Sequence, residues 1–142
     1  MKLIKYPRRY EWENLLNTGQ VNNHIAIYAD ETADPLRINH IILSATRQQY
    51  DVVTVSSHNL LIEAILDEID KSLIDMQYKQ REIQAFNSSI CVLVKNERVA
   101  IELLRLIHPA QLVLLCANAE SVASNFKNSI TVVLTDNMDN IP

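Results

Sequence analysis

The sequence predicts an α/β domain in which a mostly parallel, five-stranded sheet lies between two layers of helices, a three-layer sandwich. Short apolar runs rich in β-branched residues alternate with segments of helical periodicity. Strands joined through helices form parallel sheets, and such strands are apolar throughout because both their faces are buried. The architecture expected is an incomplete Rossmann-like domain. Its predicted strands are Ile25–Tyr28, Val52–Val55, Ile90–Val94, Leu112–Leu115 and Ile130–Leu134.

The first part of the chain differs in character from the rest. Residues 1–16 predict an extended start followed by one or two helical turns, because Tyr6 precedes a proline and is pushed away from helical angles. Residues 17–23 are rich in turn-forming residues and predict a linker. Residues 24–142 then form a single α/β domain, a size large enough to bury a substantial core.

Helices are predicted between the strands, over about 35–48, 58–77, 78–86, 97–107 and 119–126. Asp34 followed by Pro35 is typical of an N-cap with proline at the first helical position. His108 followed by Pro109 predicts the end of the fourth helix. These residues mark where the first helix begins and where the fourth helix ends.

Composition excludes several classes of function. The chain has 142 residues and a formal net charge of -4, which argues against a nucleic-acid partner, and the Arg8-Arg9 pair is too short a basic patch to reverse this. No apolar run reaches the roughly 18 residues of a membrane span. The N-terminus lacks the apolar region of a signal peptide, so cytoplasmic residence is expected.

Glycine and cysteine usage narrow the possibilities further. The single glycine, Gly19, leaves no glycine-rich loop of the kind that cradles nucleotide phosphates. Cys91 and Cys116 lie in apolar runs without a CxxC partner, which predicts reduced, buried thiols and no zinc or redox role.

One segment is specific enough to indicate a family. The corner Ala29–Pro35 (ADETADP) follows a strand and precedes a helix, and Ser89–Leu104 and His108–Leu112 add further matches in the same order. Together they resemble the histidinol dehydrogenase family, over residues 3–16 and 24–134. The resemblance implies a link to histidine biosynthesis. It also implies a truncated relative, which lacks the interval that binds the cofactor and the C-terminal domains.

The resemblance also implies that the family's chemistry is absent. A glutamine and a histidine that bind zinc in the family fall at Ala45 and Gln48 here, and its glutamate–histidine pair falls at Ala110 and Gln111. A methyl group cannot ligate a metal, and neither Ala110 nor Gln111 can act as a general base. We therefore expect no catalytic residues, no metal, no cofactor and no enzymatic activity.

Open α/β sheets bind ligands beyond the carboxyl ends of their strands, which predicts a candidate ligand cleft at that edge. In this chain Lys95 and Arg98 are the candidates to hold an anion there. The alternative is that these polar loops are simply solvated. The acidic corner also has two interpretations: a site for a cation, or a cap for the helix that follows it. The candidate cleft residues are Asp30, Glu31, Ser56, His58, Lys95, Arg98 and Asn118.

Three functions remain open. The first is a non-catalytic binding or assembly module, and the second is a protein that binds a small metabolite in the cleft. The third is a new hydrolase or transferase activity that uses Asp30, Glu31, His58 or Lys95. The apolar residues of Met1–Leu16 favour packing on a neighbour as well as on their own domain, and the domains missing relative to the family imply exposed apolar faces. A homodimer through either surface is therefore expected, with a small-molecule or protein partner unspecified.

Overall fold

The computed structural model describes residues 1–14, 24–74, 80–126 and 130–134. The predicted linker 17–23 and the predicted cleft segment 135–137 lie outside these ranges. The strands are β1 Lys2–Lys5, β2 His24–Ala29, β3 Asp51–Ser56, β4 Ile90–Leu93, β5 Gln111–Leu115 and β6 Thr131–Leu134. The α-helices are α1 Pro35–Arg47, α2 Asn59–Ile74, α3 Gln80–Ser88, α4 Glu97–Ile107 and α5 Ala119–Ala123, with short 3-10 helices at Arg9–Asn14 and Ser124–Phe126.

All strands belong to one sheet, in the order β1-β4-β3-β2-β5-β6, and every pair is parallel. From β2 the chain moves outward through β3 to β4, then returns to the other side of β2 and continues through β5 to β6. The strand order therefore reverses between β2 and β5. This topology confirms the predicted α/β class and the parallel sheet.

Within the described residues the sheet has six strands, so the predicted count of five is wrong by one. The additional strand is β1, which pairs with β4 at one edge through Leu3 opposite Cys91 and Ile4 opposite Val92. Only two of its four residues are partly buried, and a lysine stands at each end. A segment this short, without a continuous apolar run, carries a weak strand signal in the sequence.

The two faces of the sheet bury separate clusters, because successive side chains of a strand point to opposite sides. In β2, Ile25 and Ile27 pack with α1, α2 and α3, whereas Ala26 and Tyr28 pack with α4 and α5. The cluster under α1, α2 and α3 is aliphatic apart from Phe86, whereas the cluster under α4 and α5 also contains Trp12, Tyr28 and Phe126. This arrangement confirms the three layers that the alternation of strands and helices predicts.

Local signals set the helix boundaries. The Asp34 carboxylate accepts a hydrogen bond from the Leu36 amide at 3.0 Å, with Pro35 at the start of α1. The Asn96 side chain caps α4 by accepting from the Val99 amide at 3.0 Å. His108 ends α4 in a left-handed conformation, with φ of 48°. Among the described residues, no helix has the length and apolarity required to cross a membrane.

Candidate functional site

Charged side chains at the carboxyl edge of the sheet form two groups. The first lies where the strand order reverses, and we call it the switch-point cluster. The second surrounds a cavity at the ends of β1 and β4, and we call it the basic cleft. The switch-point cluster comprises Tyr28, Asp30, Glu31, His58, Glu97 and Asn118, and the basic cleft comprises Tyr6, Pro7, Arg8, Arg9, Trp12, Val94, Lys95, Arg98, Val99 and Glu102.

Within the switch-point cluster, Asp30 links the loop after β2 to the loop after β5. One carboxylate oxygen accepts from the Ala117 amide at 2.9 Å, and the other accepts from the amide and hydroxyl of Thr32. Burial opposes ionisation of Asp30, but these hydrogen bonds and the proximity of His58 outweigh it and lower its pKa. Asp30 is thus a fixed anion that joins two loops, and its oxygens are already engaged.

Glu31 and His58 meet across the mouth of the same cluster. Their side chains lie 2.9 Å apart, and both are substantially exposed. Ser56 sits below them, where its hydroxyl accepts from the backbone amide of His58 at 3.1 Å. Ser56 therefore stabilises the turn into α2, and its oxygen points to the backbone amide of His58.

Glu97 connects the other side of the cluster to α4. It accepts a hydrogen bond from Asn118 at 2.9 Å and lies 3.4 Å from the Tyr28 hydroxyl. Burial, together with the charge of Glu97, raises the pKa of Tyr28, so the phenol stays protonated. Burial and nearby carboxylates likewise raise the pKa of Cys116 to about 12. The cluster is acidic, hydrogen-bonded internally and poorly suited to an anion.

The basic cleft is a cavity of about 310 Å³, lined by the residues after β1, the end of β4 and the first turns of α4. Among the described residues, four cationic side chains contribute to its wall, against the single carboxylate of Glu102. This balance is opposite in sign to the net charge of -4 carried by the whole chain. The cleft is therefore a local positive site on an acidic protein.

Trp12 anchors the wall of the cleft that comes from the N-terminal segment. Its indole is 7% exposed and packs in the cluster beneath α4, while its N–H donates to the Pro7 carbonyl at 3.2 Å. The Arg9 guanidinium lies 4.9 Å from the centre of the indole ring and pairs with Glu102. Cation–π and ion-pair contacts thus tie the segment to α4.

The remaining cations of the cleft are less committed. Arg98 lies 3.4 Å from Glu102, one helical turn away on α4. The Arg8 guanidinium donates to the Tyr10 hydroxyl at 3.4 Å, and the Arg8 backbone amide donates to the Glu11 carboxylate at 3.0 Å. Lys95 has no ion pair within the described part of the chain. Arg8 and Lys95 are thus available to an anionic ligand.

The amino edge of the sheet holds the positions where the family resemblance places chemistry. Ala45 is fully enclosed in the aliphatic core under α1, and Gln48 caps the exposed end of that helix. Ala110 donates its amide to the His24 carbonyl, and Gln111 opens β5. These side chains do not fit zinc, and the described residues contain no group of three or more His, Cys, Asp or Glu able to hold a metal ion.

The structure divides the predicted cleft residues. Asp30, Glu31, Ser56, His58 and Asn118 come together at the switch point, whereas Lys95 and Arg98 line the basic cleft. Sequence reasoning missed the contribution of Arg8, Arg9 and Trp12, because it did not place β1 in the sheet. The adjacent arginines were the available signal.

Comparisons with known proteins bear on the fold. No protein-family model matches the chain, and no curated protein matches its sequence. Among solved structures, histidinol dehydrogenase from Elizabethkingia anophelis is similar, with a TM-score of 0.69, 19% identity and coverage of 94% of this chain. This chain spans 34% of the length of that enzyme. At such identity the likeness is one of fold: the Rossmann-like α/β architecture described above is shared with part of histidinol dehydrogenase.

Proposed function

We propose that this chain is a non-catalytic relative of histidinol dehydrogenase that binds a small anionic molecule in the basic cleft. The observation that carries the proposal is the cleft itself, in which four cations surround one carboxylate in a cavity of about 310 Å³. Ligand pockets range from about 300 to 1,000 Å³, so the cavity has the size of a site for a small metabolite. The cavity lies beyond the carboxyl ends of the parallel strands β1 and β4, which is the side of an α/β sheet on which ligands bind, while the strand order reverses elsewhere, between β2 and β5.

The non-catalytic part of the proposal rests on the amino edge. A buried methyl at position 45 and an amide at position 48 offer no pair of zinc ligands, and Ala110 and Gln111 offer no base. Incubation with histidinol, NAD and zinc is expected to yield no NADH, and elemental analysis is expected to find no stoichiometric zinc. NADH formation above a protein-free control would contradict this part.

Binding is tested by titrating isotopically labelled protein with isophthalate, a compact dianion, and following backbone amide resonances. We expect shifts to concentrate at Lys95, Arg98 and the segment from Tyr6 to Trp12. Lys95→Gln should weaken binding, whereas Lys71→Gln, which removes the same charge from α2 on the opposite face, should leave it unchanged. Shifts confined to the switch-point cluster or the amino edge would contradict the proposed location.

A second candidate is a new hydrolase or transferase activity at the switch-point cluster. The observation in its favour is the 2.9 Å contact between Glu31 and His58, a carboxylate–imidazole pair that could move a proton. Against it, the oxygens of Asp30 are occupied by structural hydrogen bonds. Turnover of an ester or phosphoester substrate that disappears in His58→Ala, with the fold intact, would favour this candidate over the binding module.

Assembly into a homodimer is a separate proposal. Two large apolar side chains are well exposed at opposite ends of α2, Leu60 at 80% and Ile74 at 77%, and each offers an apolar contact to a second copy. Trp12, by contrast, is buried against its own chain. Light scattering at micromolar concentration is expected to give twice the mass of 16.2 kDa. A monomer mass would refute the dimer.

A further inference from the structure

We propose that the ligand of the basic cleft is a phosphate monoester of a small metabolite, held between Arg8 and Lys95. This inference rests on the proposed binding function and specifies the chemical class of its ligand. It follows from the charge balance of the cleft wall, from the geometry of the two uncommitted cations and from the cavity volume.

Charge comes first. Among the described residues that line the cavity, four cations stand against one carboxylate. The Glu11 carboxylate, which accepts from the Arg8 backbone amide, lies beside them, so the local excess is two positive charges when Glu11 is counted. Glu102 is shared between Arg9 and Arg98, so it does not neutralise the other two cations. Because like charges at close range repel, a dianion relieves more of this excess than a monoanion does.

Geometry favours phosphate over a carboxylate. Arg8 follows β1 and Lys95 follows β4, so the two cations approach the cavity from adjacent strands of the sheet. A tetrahedral phosphate presents three acceptor oxygens and can accept from a guanidinium on one side and an ammonium on the other. Arginine and lysine are the side chains that proteins use most for phosphate.

The volume of the cavity limits the part of the ligand that carries the phosphate group. A cavity of about 310 Å³ is at the lower end of the range for ligand pockets and is too small to enclose a dinucleotide. Tyr6 lines the mouth with a ring that is 54% exposed, which offers an apolar surface to a short carbon skeleton. The site therefore fits a phosphate attached to a few carbons or to one small ring.

The test uses three probes with the same benzene ring: phenyl phosphate, isophthalate and benzenesulfonate. Trp12 is the single tryptophan of the chain and lines the cleft, so its intrinsic fluorescence reports binding directly. Titrations at low ionic strength keep the attraction between exposed charges from being screened. We expect phenyl phosphate to bind about tenfold more tightly than benzenesulfonate, and more tightly than isophthalate.

Variants assign the contact to the two cations. Lys95→Gln and Arg8→Gln are each expected to raise the Kd of phenyl phosphate about tenfold, while Lys71→Gln leaves it unchanged. Melting temperatures close to that of the unsubstituted protein would show that the fold is intact, since both cleft side chains are exposed. An equal loss of affinity in Lys71→Gln would overturn the assignment, because it would indicate a non-specific response to net charge.

The outcomes separate this inference from the proposed function. If isophthalate binds in a Lys95-dependent way and more tightly than phenyl phosphate, the phosphate assignment is overturned while the anion-binding function stands. If none of the three probes binds, the proposed function is overturned as well. Tighter binding of phenyl phosphate, lost in both cleft variants, supports both.

Discussion

The two edges of the sheet have opposite chemical character. At the amino edge, the positions that the family resemblance marks for chemistry carry a buried methyl group and neutral amides, as at Ala45 and Gln111. At the carboxyl edge, fixed anions at the switch point adjoin a cavity walled by four cations. The difference teaches that a sheet and its helices can share the architecture of part of an enzyme while one edge carries neutral side chains and the other carries charged ones.

The largest effect expected concerns the wall of the basic cleft. Trp12→Ala should lower the free energy of unfolding by about 3–5 kcal/mol, because it removes a large buried aromatic side chain from the core. Urea unfolding, monitored by circular dichroism, measures this free energy and does not depend on the fluorescence of Trp12, which the substitution removes. Tyr10→Ala, in the same 3-10 helix at 73% exposure, is the matched control and should change stability by less than about 0.5 kcal/mol.

Equal, small losses in the two variants would break the comparison between the edges. They would show that the N-terminal segment does not form a permanent wall, so the carboxyl edge would lack an enclosed cleft.

The next effect concerns the fixed anion of the switch-point cluster. Asp30→Asn should cost about 1.5–3 kcal/mol at pH 7, since the charge is removed and one of the two acceptor oxygens becomes an NH2 group that cannot accept. The pKa of Asp30 is lowered in the folded protein, so its contribution is present above the unfolded value near 4 and is lost as pH falls through the folded value.

Stability measured from pH 7 downward checks this sign. The unsubstituted protein should lose stability more steeply below about pH 4 than Asp30→Asn does. Asp70→Asn, an exposed position on α2, serves as the control and should follow the unsubstituted protein. A parallel pH dependence in all three proteins would contradict the role of Asp30.

A smaller effect is expected at the amino edge. The side-chain oxygen of Gln111 is buried and has no hydrogen-bond partner among the described residues. Replacing it with methionine should therefore leave stability unchanged or raise it by up to about 1 kcal/mol, because an unsatisfied polar group is removed. Gln48→Met, at an exposed position, is the control. A clear loss of stability in Gln111→Met would reveal a polar requirement at this edge.

The smallest effect is chemical and concerns the two thiols. Burial raises the pKa of Cys91 and of Cys116 to about 12, so the thiolate fraction at pH 8 is on the order of one in ten thousand. A thiol reagent added to the folded protein should react with neither cysteine on the timescale of its reaction with unfolded protein. Rapid labelling of Cys116 alone would show that the carboxyl edge opens.

Much of the fold follows from the sequence because the inner strands are apolar on both faces. Runs such as Val52–Val55 leave few alternatives to a buried parallel strand, and Asp34 with Pro35 marks the start of α1 through its own hydrogen bond. β1 was missed because its extended conformation depends on pairing with β4, which is distant in the sequence. Local periodicity does not indicate which strands are neighbours in a sheet.

The candidate site was predictable in part for the same reason. Lys95 and Arg98 follow a recognisable strand, so their place at the carboxyl edge could be inferred. Arg8 and Arg9 contribute only because β1 lies next to β4, a non-local pairing. The sequence displays the adjacent arginines but does not indicate the cavity that they face.

That pairing has a consequence for the order of folding. Lys2 lies opposite Ile90, so β1 depends on a contact that spans about 90 residues and closes late compared with neighbouring elements. The strands β2 and β3, joined through α1, can associate before β1 finds its place. We therefore expect the basic cleft to be completed in one of the last steps of folding, and a pause before this step would give a compact intermediate without that cleft.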